Sequence, residues 1–263
     1  MNEKTNIKKI KGILSDIDGT LYFKGEPING AVETISKLRK KGLKFLFFTN
    51  TDSKVPLTIL NILNDYGFNI KFEEIFTPII ALKNFLSENP LKKSFLVATS
   101  EVEKEFRDFP IVSGSEIPDF VIISDFHDNW DVTRLNQAFN YVLKGAKLLG
   151  TQGNKYYLDR SGEPVIDTGS FVQMIAYAAN VDPIIFGKPS TEYFFHALKR
   201  INLNSDEVIV VGDDPESDIQ GAINAGIHNI LVRSGKGKFF ESEKSEIKPS
   251  MIIDSFKSLL DYF

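Results

Sequence analysis

Residues 13–22 read ILSDIDGTLY, in which a short apolar run leads into two carboxylates, Asp16 and Asp18, beside a glycine. An apolar run of this kind is typical of a strand that is buried on both faces of a parallel sheet. Like charges two residues apart repel each other. Their pairing therefore indicates a bound cation, a shared proton or acid–base chemistry on a substrate.

Three more apolar runs have the same character and predict strands of the same sheet, at residues 44–49, 207–212 and 229–232. Helical patterns accompany them, at residues 31–41, 55–66, 191–201 and 217–225. Strands that alternate with helices imply right-handed crossovers. The sequence therefore predicts an α/β fold with a doubly wound, Rossmann-like core built on a parallel sheet.

The middle of the chain departs from this rhythm. Further strands are predicted at residues 94–98, 119–123 and 147–150, and helices at residues 132–143 and 170–179. This stretch is long enough to fold as an α/β domain of its own. We therefore predict an inserted domain at residues 82–185, between two segments of the core at residues 1–81 and 186–263.

Composition excludes several classes of protein. The 263 residues include 42% hydrophobic and 25% charged residues, as in a globular protein, and no cysteine, which rules out disulfides and thiolate chemistry. A formal net charge of -4 without basic clusters argues against nucleic acid as a partner. The N-terminal MNEKTNIKKIKG lacks the apolar segment of a secretory signal, and no apolar run has the length of a membrane span. We expect a cytoplasmic protein.

Four local signals carry the chemistry, and three of them directly follow predicted strands. In chain order they are Asp16-Ile17-Asp18-Gly19-Thr20, Thr49-Asn50, Lys188-Pro189 and Gly212-Asp213-Asp214-Pro215-Glu216-Ser217-Asp218. The carboxyl ends of parallel strands share one edge of the sheet, where ligands bind. Lys188 follows a short apolar run at residues 183–186 and could reach the same edge. We therefore expect these side chains to converge.

Several carboxylates gathered away from water either protonate or recruit a cation. Oxygen ligands without cysteine or histidine suit a hard ion, and Mg2+ is the usual one where phosphate completes its coordination. Asp213 would complete the metal site, and Asp214 or Asp218 would either ligate through water or hold Lys188. The three histidines lie outside the four signals and are expected to be structural or surface residues: His127, His196 and His228.

The remaining roles follow from charge. One carboxylate of the first pair can attack phosphorus, and the other can protonate the leaving oxygen and later deprotonate water. Thr49 and nearby backbone N–H groups can hold phosphoryl oxygens. Lys188 supplies a fixed positive charge that stabilises the transferring group.

In these features the sequence resembles the haloacid dehalogenase superfamily of phosphatases, whose motifs are DxD, a Ser or Thr after the second strand, a Lys and GDxxxxD. A large α/β cap between the Thr and Lys motifs is similar to the NagD-like, or nitrophenyl phosphatase, subfamily. Within it, the sequence looks most like the phospholysine phosphohistidine inorganic pyrophosphate phosphatase branch. The stretches that carry this likeness are FFTNTDSK, DFVIISD, NKYYLDRSG, FGKPSTEYFFHAL and VGDD.

The resemblance implies an Mg2+-dependent hydrolase of small phosphorylated metabolites that forms an aspartyl-phosphate, and it allows a homodimer formed through the cap. It also implies a role for each motif residue: nucleophile and metal ligand for Asp16, general acid/base and metal ligand through its carbonyl for Asp18, phosphate binding for Thr49 and Asn50, phosphate orientation for Lys188, and metal binding for Asp213.

Two departures from that branch bear on the substrate. Mammalian members carry Ser where this chain has Asp18, and alkyl phosphate esters benefit from proton donation more than phosphoramidates or pyrophosphate do. We therefore expect ordinary phosphomonoesters to be hydrolysed at least as well as N–P or P–O–P bonds. The second departure is Asp167-Thr-Gly-Ser170, where relatives often have a glycine-containing turn, and it bears on the geometry of the cap.

Substrate choice is expected to reside in the inserted domain, because the core is occupied with phosphate. Residues 151–157 mix flexible, polar and aromatic groups, among them Lys155, Tyr156 and Tyr157. We expect this segment to reach the leaving group. The alternative is that the two tyrosines pack within the cap.

Three other functions are compatible with parts of the pattern. A phospho-accepting receiver module also has an acidic Mg2+ pocket, a Thr and a Lys, but its accepting Asp lies on a later strand and it has no large insertion. A phosphotransferase or mutase would pass the phosphoryl group to an acceptor other than water. A catalytically weak binding protein would keep the fold without turnover.

Overall fold

The computed structural model describes residues 9–112 and 116–263. Residues 1–8, which hold most of the N-terminal segment discussed above, and residues 113–115 of the predicted insertion lie outside the described residues. The strands are β1 (Gly12–Ser15), β2 (Tyr22–Phe23), β3 (Glu26–Pro27), β4 (Lys44–Phe48), β5 (Ile75–Phe76), β6 (Ser94–Val97), β7 (Phe120–Ile123), β8 (Lys147–Gly150), β9 (Tyr156–Leu158), β10 (Pro164–Ile166), β11 (Ile184–Ile185), β12 (Val208–Gly212), β13 (His228–Val232) and β14 (Met251–Ile253).

The α-helices are α1 (Ala31–Lys40), α2 (Pro56–Asp65), α3 (Pro78–Ser87), α4 (Ser100–Glu105), α5 (Val132–Leu143), α6 (Thr168–Ala179), α7 (Thr191–Ile201) and α8 (Gly221–Asn224). A π-helical turn, Pro215–Gln220, leads directly into α8. Among the described residues, we find no helix with the length and apolar character needed to cross a membrane.

The larger sheet has six parallel strands in the order β14-β13-β12-β1-β4-β5. In this sheet β1 is central, and Leu14 pairs with Val210 on one side and Leu46 on the other. The chain extends the sheet first in one direction and then in the other, so β1 lies at the topological switch point. This confirms the predicted doubly wound core.

Alternate residues of the central strands face opposite sides of the sheet, as strand geometry requires. Ile13 packs into an apolar cluster with residues of α1 and α2, whereas Leu14 packs into a second cluster with residues of α7. Both are fully buried, and each such side chain contributes about 1.5–3 kcal/mol relative to leaving it in water. Burial on both faces explains why these strands read as continuous apolar runs.

A second, separate sheet has four parallel strands in the order β11-β8-β7-β6 and forms an α/β cap. The helices α5 and α6 pack on one of its faces and α3 and α4 on the other. The predicted boundary between residues 81 and 82 falls inside α3, whose Ile79 and Leu86 pack with the cap strands. The helix begins at Pro78, after the N-cap Thr77.

Some elements differ from the sequence predictions. The helix predicted at residues 217–225 begins earlier, at Pro215, because the carboxylate of Asp214 accepts from the backbone N–H groups of Glu216 and Ser217. Two short hairpins, β2–β3 and β9–β10, were not predicted. They lie over the carboxyl edge of the larger sheet, where both contribute residues to one cavity.

Candidate active site

The ends of three parallel strands bring the predicted site residues to one edge of the core sheet. Asp16 and Asp18 follow β1, Thr49 and Asn50 follow β4, and Asp213 and Asp214 follow β12. Lys188 arrives from the cap, just after β11, and Asp218 lies on the π-helical turn. All eight side chains line a cavity of about 560 Å³.

Lys188 is the positive centre of this site. Its Nζ donates to Asp16 Oδ1 at 2.6 Å and to Asp218 Oδ1 at 2.6 Å, and it lies 4.7 Å from the centre of the Phe48 ring. The residue is only 1% exposed. Burial alone would lower the pKa of Lys188, but the two carboxylates outweigh it and raise that pKa above its ordinary value. The ammonium therefore stays charged at neutral pH.

Asp16, Asp213 and Asp218 form a compact acidic cluster. One carboxylate oxygen from each lies within 4.8 Å of the others, and all three residues are buried. Burial and mutual repulsion raise the pKa of Asp213 well above its ordinary value. The pKa of Asp16 is also raised, by burial and by Asp218, although Lys188 opposes the shift. One lysine does not neutralise three carboxylates, so the cluster fits a divalent cation.

Asp213 is fixed in orientation by groups from two other loops. Thr20 Oγ1 donates to its Oδ1 at 3.2 Å, and the backbone N–H of Lys236 donates to its Oδ2 at 2.7 Å. Gly19 and Gly235 approach the same carboxylate with positive φ angles of 86° and 42°. A Cβ at either glycine would lie 2.5 Å or less from Asp213 Oδ2. Only glycine therefore permits this close packing.

Asp18 lies apart from the buried cluster and is exposed in the cavity. Thr51 Oγ1 donates to its Oδ2 at 2.7 Å. The hydroxyls of Thr49 and Thr51 lie 2.9 Å apart, and the N–H of Thr51 donates to Thr49 Oγ1 at 3.0 Å. In the part of the chain that the structure describes, Asp218 rather than Asp18 supplies the third carboxylate of the cluster. Metal binding by the Asp18 carbonyl stays a prediction.

Asn50 was expected to bind phosphate, and the structure shows where its side chain points. Oδ1 accepts from the backbone N–H of Lys188 at 2.7 Å, and Nδ2 donates to the Lys188 carbonyl and to Asn154 Oδ1, each at 2.8 Å. The amide therefore positions Lys188. A phosphate contact of Asn50 itself remains a prediction.

The two alternatives for Asp214 and Asp218 separate in the structure. Asp218 holds Lys188, and its Oδ2 accepts from the N–H of Asp214 at 3.0 Å. Asp214 instead pairs with Lys236 at 2.6 Å. Burial would raise the pKa of Asp214, but Lys236 outweighs it and lowers that pKa.

The cap supplies the wall opposite the acidic cluster. Tyr157 and Arg160, from the β9–β10 hairpin, line the cavity together with Asp167, which is the N-cap of α6 and accepts from the N–H of Thr168 at 2.8 Å. Lys155 pairs with Glu216 at the surface. Tyr157 is therefore the aromatic residue of the predicted segment that faces the cavity.

Of the three histidines, His127 lies at the rim of this cavity, where its Nδ1 is 2.8 Å from Asp125 and its side chain is 65% exposed. His196 is exposed on α7, and His228 is half-buried on β13.

Three contributors were missed by sequence reasoning. Thr51 lies inside the quoted TNTD segment and could have been found by its position after β4. Lys236 follows β13 and so reaches the same sheet edge. Tyr193 gave no local signal, because it lies on α7, and its hydroxyl donates to the carbonyls of Thr49 and Phe76.

Asp52 is a further unpredicted group, at the junction of core and cap. Its Oδ2 accepts from Thr151 Oγ1 at 2.5 Å and from the N–H of Asp125 at 3.1 Å, and its carbonyl accepts from Ser124 Oγ at 2.9 Å. Burial, with the charge of Asp167, raises the pKa of Asp52 to about 8. The carboxyl is therefore largely protonated at neutral pH.

Comparison with known families agrees with this architecture. Residues 13–111 match the model described as haloacid dehalogenase-like hydrolase, and residues 185–259 match a model described as HAD-hydrolase-like. The chain is 30% identical over 255 residues to haloacid dehalogenase-like hydrolase domain-containing protein 2 of Bos taurus, covering 97% of this chain and 96% of the relative. It is 29% identical to human phospholysine phosphohistidine inorganic pyrophosphate phosphatase, covering 96% and 93%.

Solved structures with a similar fold cover nearly the whole chain. A 4-nitrophenylphosphatase from Thermotoga maritima has a TM-score of 0.88 and 27% identity, covering 97% of this chain and 98% of the other. NagD from E. coli has a TM-score of 0.83 and 25% identity, covering 94% and 97%.

Proposed function

The chain belongs to the haloacid dehalogenase-like hydrolase family and is a phosphatase, and from that premise we propose that it is an Mg2+-dependent phosphohydrolase of small phosphorylated metabolites. The observation that carries this proposal is the buried contact of Asp16 with Lys188, beside Asp213 and Asp218. Here a carboxylate at the end of the central strand is both oriented by a cation and placed in a cavity large enough for a metabolite.

Asp16 is the nucleophile of the proposed reaction. An oxygen of its carboxylate attacks phosphorus, the bond between phosphorus and the leaving oxygen breaks, and the leaving oxygen takes a proton from the carboxyl of Asp18. The Asp18 carboxylate then removes a proton from a water molecule that attacks the phosphorus of the aspartyl-phosphate. This second step breaks the bond between the Asp16 oxygen and phosphorus, releases inorganic phosphate and restores both carboxyl groups to their starting states.

Asp18 suits the acid/base role because it is exposed in the cavity and held at one oxygen by Thr51. Lys188 supplies a fixed positive charge beside the anionic phosphoryl group without giving up its proton. Thr49, with the backbone N–H groups of its loop, would hold the phosphoryl oxygens.

The acidic cluster fits Mg2+, since its donors are carboxylate oxygens and carry more negative charge than Lys188 offsets. Asp16 and Asp213 would hold the ion with the Asp18 carbonyl, and Asp218 would act through Lys188. When bound, the ion would supply positive charge to the phosphoryl oxygens. Attack and proton transfer are carried out by Asp16 and Asp18, and Lys188 and Thr49 orient the phosphoryl group.

One alternative substrate class has support in the comparisons. Because a relative is named a phospholysine phosphohistidine inorganic pyrophosphate phosphatase, N–P and P–O–P bonds are a second candidate. Asp18, which can protonate an alkoxide, favours ordinary esters. Four further points also stay proposals. They are transfer to an acceptor other than water, a homodimer, a cytoplasmic location, and the division into core (1–81 and 186–263) and cap (82–185).

The test is turnover of a panel with Mg2+: alkyl phosphate metabolites, p-nitrophenyl phosphate, pyrophosphate and phosphohistidine, with Asp16→Asn as the control. We expect hydrolysis that the control abolishes, and borohydride reduction of acid-quenched enzyme should convert Asp16 to homoserine. Unchanged activity of Asp16→Asn would overturn the proposal. An added sugar acceptor that becomes phosphorylated would identify a phosphotransferase.

A further inference from the structure

Lys236 joins the cap to the acidic loop. Its Nζ donates to the carbonyl of Tyr156, on β9 of the cap, at 2.8 Å and lies 4.6 Å from the centre of that tyrosine ring. The same Nζ pairs with Asp214 Oδ2 at 2.6 Å. The backbone N–H of Lys236 meanwhile donates to Asp213. One residue therefore contacts both the cap hairpin and two consecutive aspartates of the core.

Lys236 also stands between two cavities. The cavity that contains Asp16 has a neighbour of about 440 Å³, and the residues that line both are Asn154, Asp214, Ser217 and Lys236. The ion pair of Lys236 with Asp214, covered by Tyr156, thus forms part of the wall between the acidic cluster and the second cavity.

The ion pair of Lys236 with Asp214 is more buried than the ion pair that Lys155 of the cap forms with Glu216 of the core. The side chains of Lys236 and Asp214 are 16% and 13% exposed, so their charge-assisted bonds are shielded from solvent. A second ion pair across the same boundary, Lys155 with Glu216, has side chains 70% and 62% exposed. Exposed pairs of that kind contribute little.

Successive residues of a strand point to opposite faces. On β9, Tyr156 contacts Lys236, and its neighbour Tyr157 lines the cavity that contains Asp16. Fixing Tyr156 therefore fixes the direction of Tyr157, whereas the turn that carries Arg160 is also held by Lys24, whose Nζ donates to the Ser161 carbonyl at 2.8 Å.

We propose that Lys236 is a positioning residue that orders the β9–β10 hairpin as a substrate-binding wall over Asp16. The inference rests on the proposed function for its kinetic consequence. Without the ammonium, the part of the hairpin around Tyr156 and Tyr157 would have to be ordered by each incoming substrate, and this ordering would weaken substrate binding.

The experiment compares three variants of the full-length protein: Lys236→Met, which keeps the apolar stem; Lys236→Arg, which keeps charge and donors; and Glu216→Gln, which removes only the exposed pair. Backbone hydrogen exchange is followed across residues 155–166. Kinetics are measured with p-nitrophenyl phosphate.

For Lys236→Met we expect faster exchange confined to the hairpin, and a KM raised about tenfold with kcat changed less than about threefold. Lys236→Arg should restore most of both, and Glu216→Gln should resemble the wild type. If Lys236→Met fails to fold, Tyr156→Leu, which removes the ring contact alone, should show the same exchange pattern to a smaller extent.

Unchanged exchange in the hairpin, or equal effects of Lys236→Met and Glu216→Gln, would overturn the inference. Faster exchange across the whole chain would do so as well, because it would assign Lys236 a purely structural role. The exchange measurement needs no turnover. It therefore tests the role of Lys236 in ordering the hairpin even if the proposed phosphatase mechanism is wrong.

Discussion

Asn50 brackets the peptide backbone of Lys188 from both sides, accepting from its N–H at 2.7 Å and donating to its carbonyl at 2.8 Å. The two residues are 138 positions apart in the chain. One follows a core strand and the other follows the edge strand of the cap. The location of the Lys188 ammonium against Asp16 therefore depends on a carboxamide that belongs to a different loop.

Asn50→Ala should weaken both stability and turnover. The buried N–H of Lys188 would lose its partner, which costs about 1–3 kcal/mol, and the Lys188 carbonyl would keep only the N–H of Gly153, at 3.4 Å. We expect kcat to fall at least about tenfold, because the backbone of Lys188 would lose the contacts that set the position of its ammonium relative to Asp16. Urea unfolding and steady-state kinetics measure the two effects. Asn140→Ala, on the exposed face of α5, is the control and should stay within about 0.5 kcal/mol. Full activity of Asn50→Ala would contradict the role of Asn50 in positioning Lys188.

Thermal unfolding can test the metal site without turnover. Mg2+ that binds the folded state should raise Tm by a few degrees over a sample with EDTA, on the order expected for mass-action stabilisation. Asp213→Asn should abolish that rise, because Asp213 belongs to the acidic cluster. Asp214→Asn is the matched neighbour, paired with Lys236, and should keep the rise. An equal rise in Tm with Mg2+ in both variants would argue against Asp213 as a metal ligand.

Asp18→Ser should act selectively on the leaving group. An alkoxide needs a proton as it leaves, whereas nitrophenolate does not. We expect kcat for an alkyl phosphate to fall about a hundredfold or more, and kcat for p-nitrophenyl phosphate to fall far less. Thr51→Val, which removes the hydroxyl that contacts Asp18, should give a smaller loss of the same kind. Equal losses on both substrates would refute the acid role.

The carboxyl of Asp52 should make stability depend on pH. Its pKa is raised to about 8 in the folded protein and is about 3.9 in an unfolded chain, so the folded state binds the extra proton between these values. The free energy of unfolding should therefore fall as pH rises from about 4 to 8, by up to about 1.4 kcal/mol per pH unit. Asp52→Asn imitates the protonated form and should remove this contribution.

Urea unfolding of Asp52→Asn and wild type between pH 5 and 8.5 measures the difference, which should favour the variant increasingly at high pH. Asp119 gives a control of opposite sign, because its hydrogen bond with Lys92 lowers its pKa. Asp119→Asn should be slightly less stable than wild type at pH 7. A difference for Asp52→Asn that does not change with pH would mean that Asp52 is ionised in the folded protein.

Much of the core was predictable because its strands are buried on both faces. β1, β4 and β12 read as apolar runs, and the polar residues that follow them had to meet at one edge. The β9–β10 hairpin was not predictable, since its strands have three residues each and leave most of them exposed. Such strands have no pattern of burial for the sequence to reveal.

The sequence offered contact with Lys188 as one alternative for Asp214 and Asp218, but it did not decide which of the two makes that contact. Asp218 reaches Lys188 because the turn after Asp214 is π-helical, which changes the direction of each later side chain relative to an α-helix. Asp214 meets Lys236 through the packing of a distant loop. Neither the wider turn nor that long-range contact leaves a local pattern in the sequence.

The last cap strand ends at Ile185, and Lys188 follows after Phe186 and Gly187. A Cβ at Gly187 would lie 2.7 Å from both Asn50 Oδ1 and the Thr151 carbonyl. The connection from Ile185 to Lys188 is therefore short and tightly packed. Insertions in an outer turn of the cap, such as the exposed residues 144–145, would change the shape of the cap without disturbing the core. One extra residue between Ile185 and Lys188 would instead displace the ammonium itself.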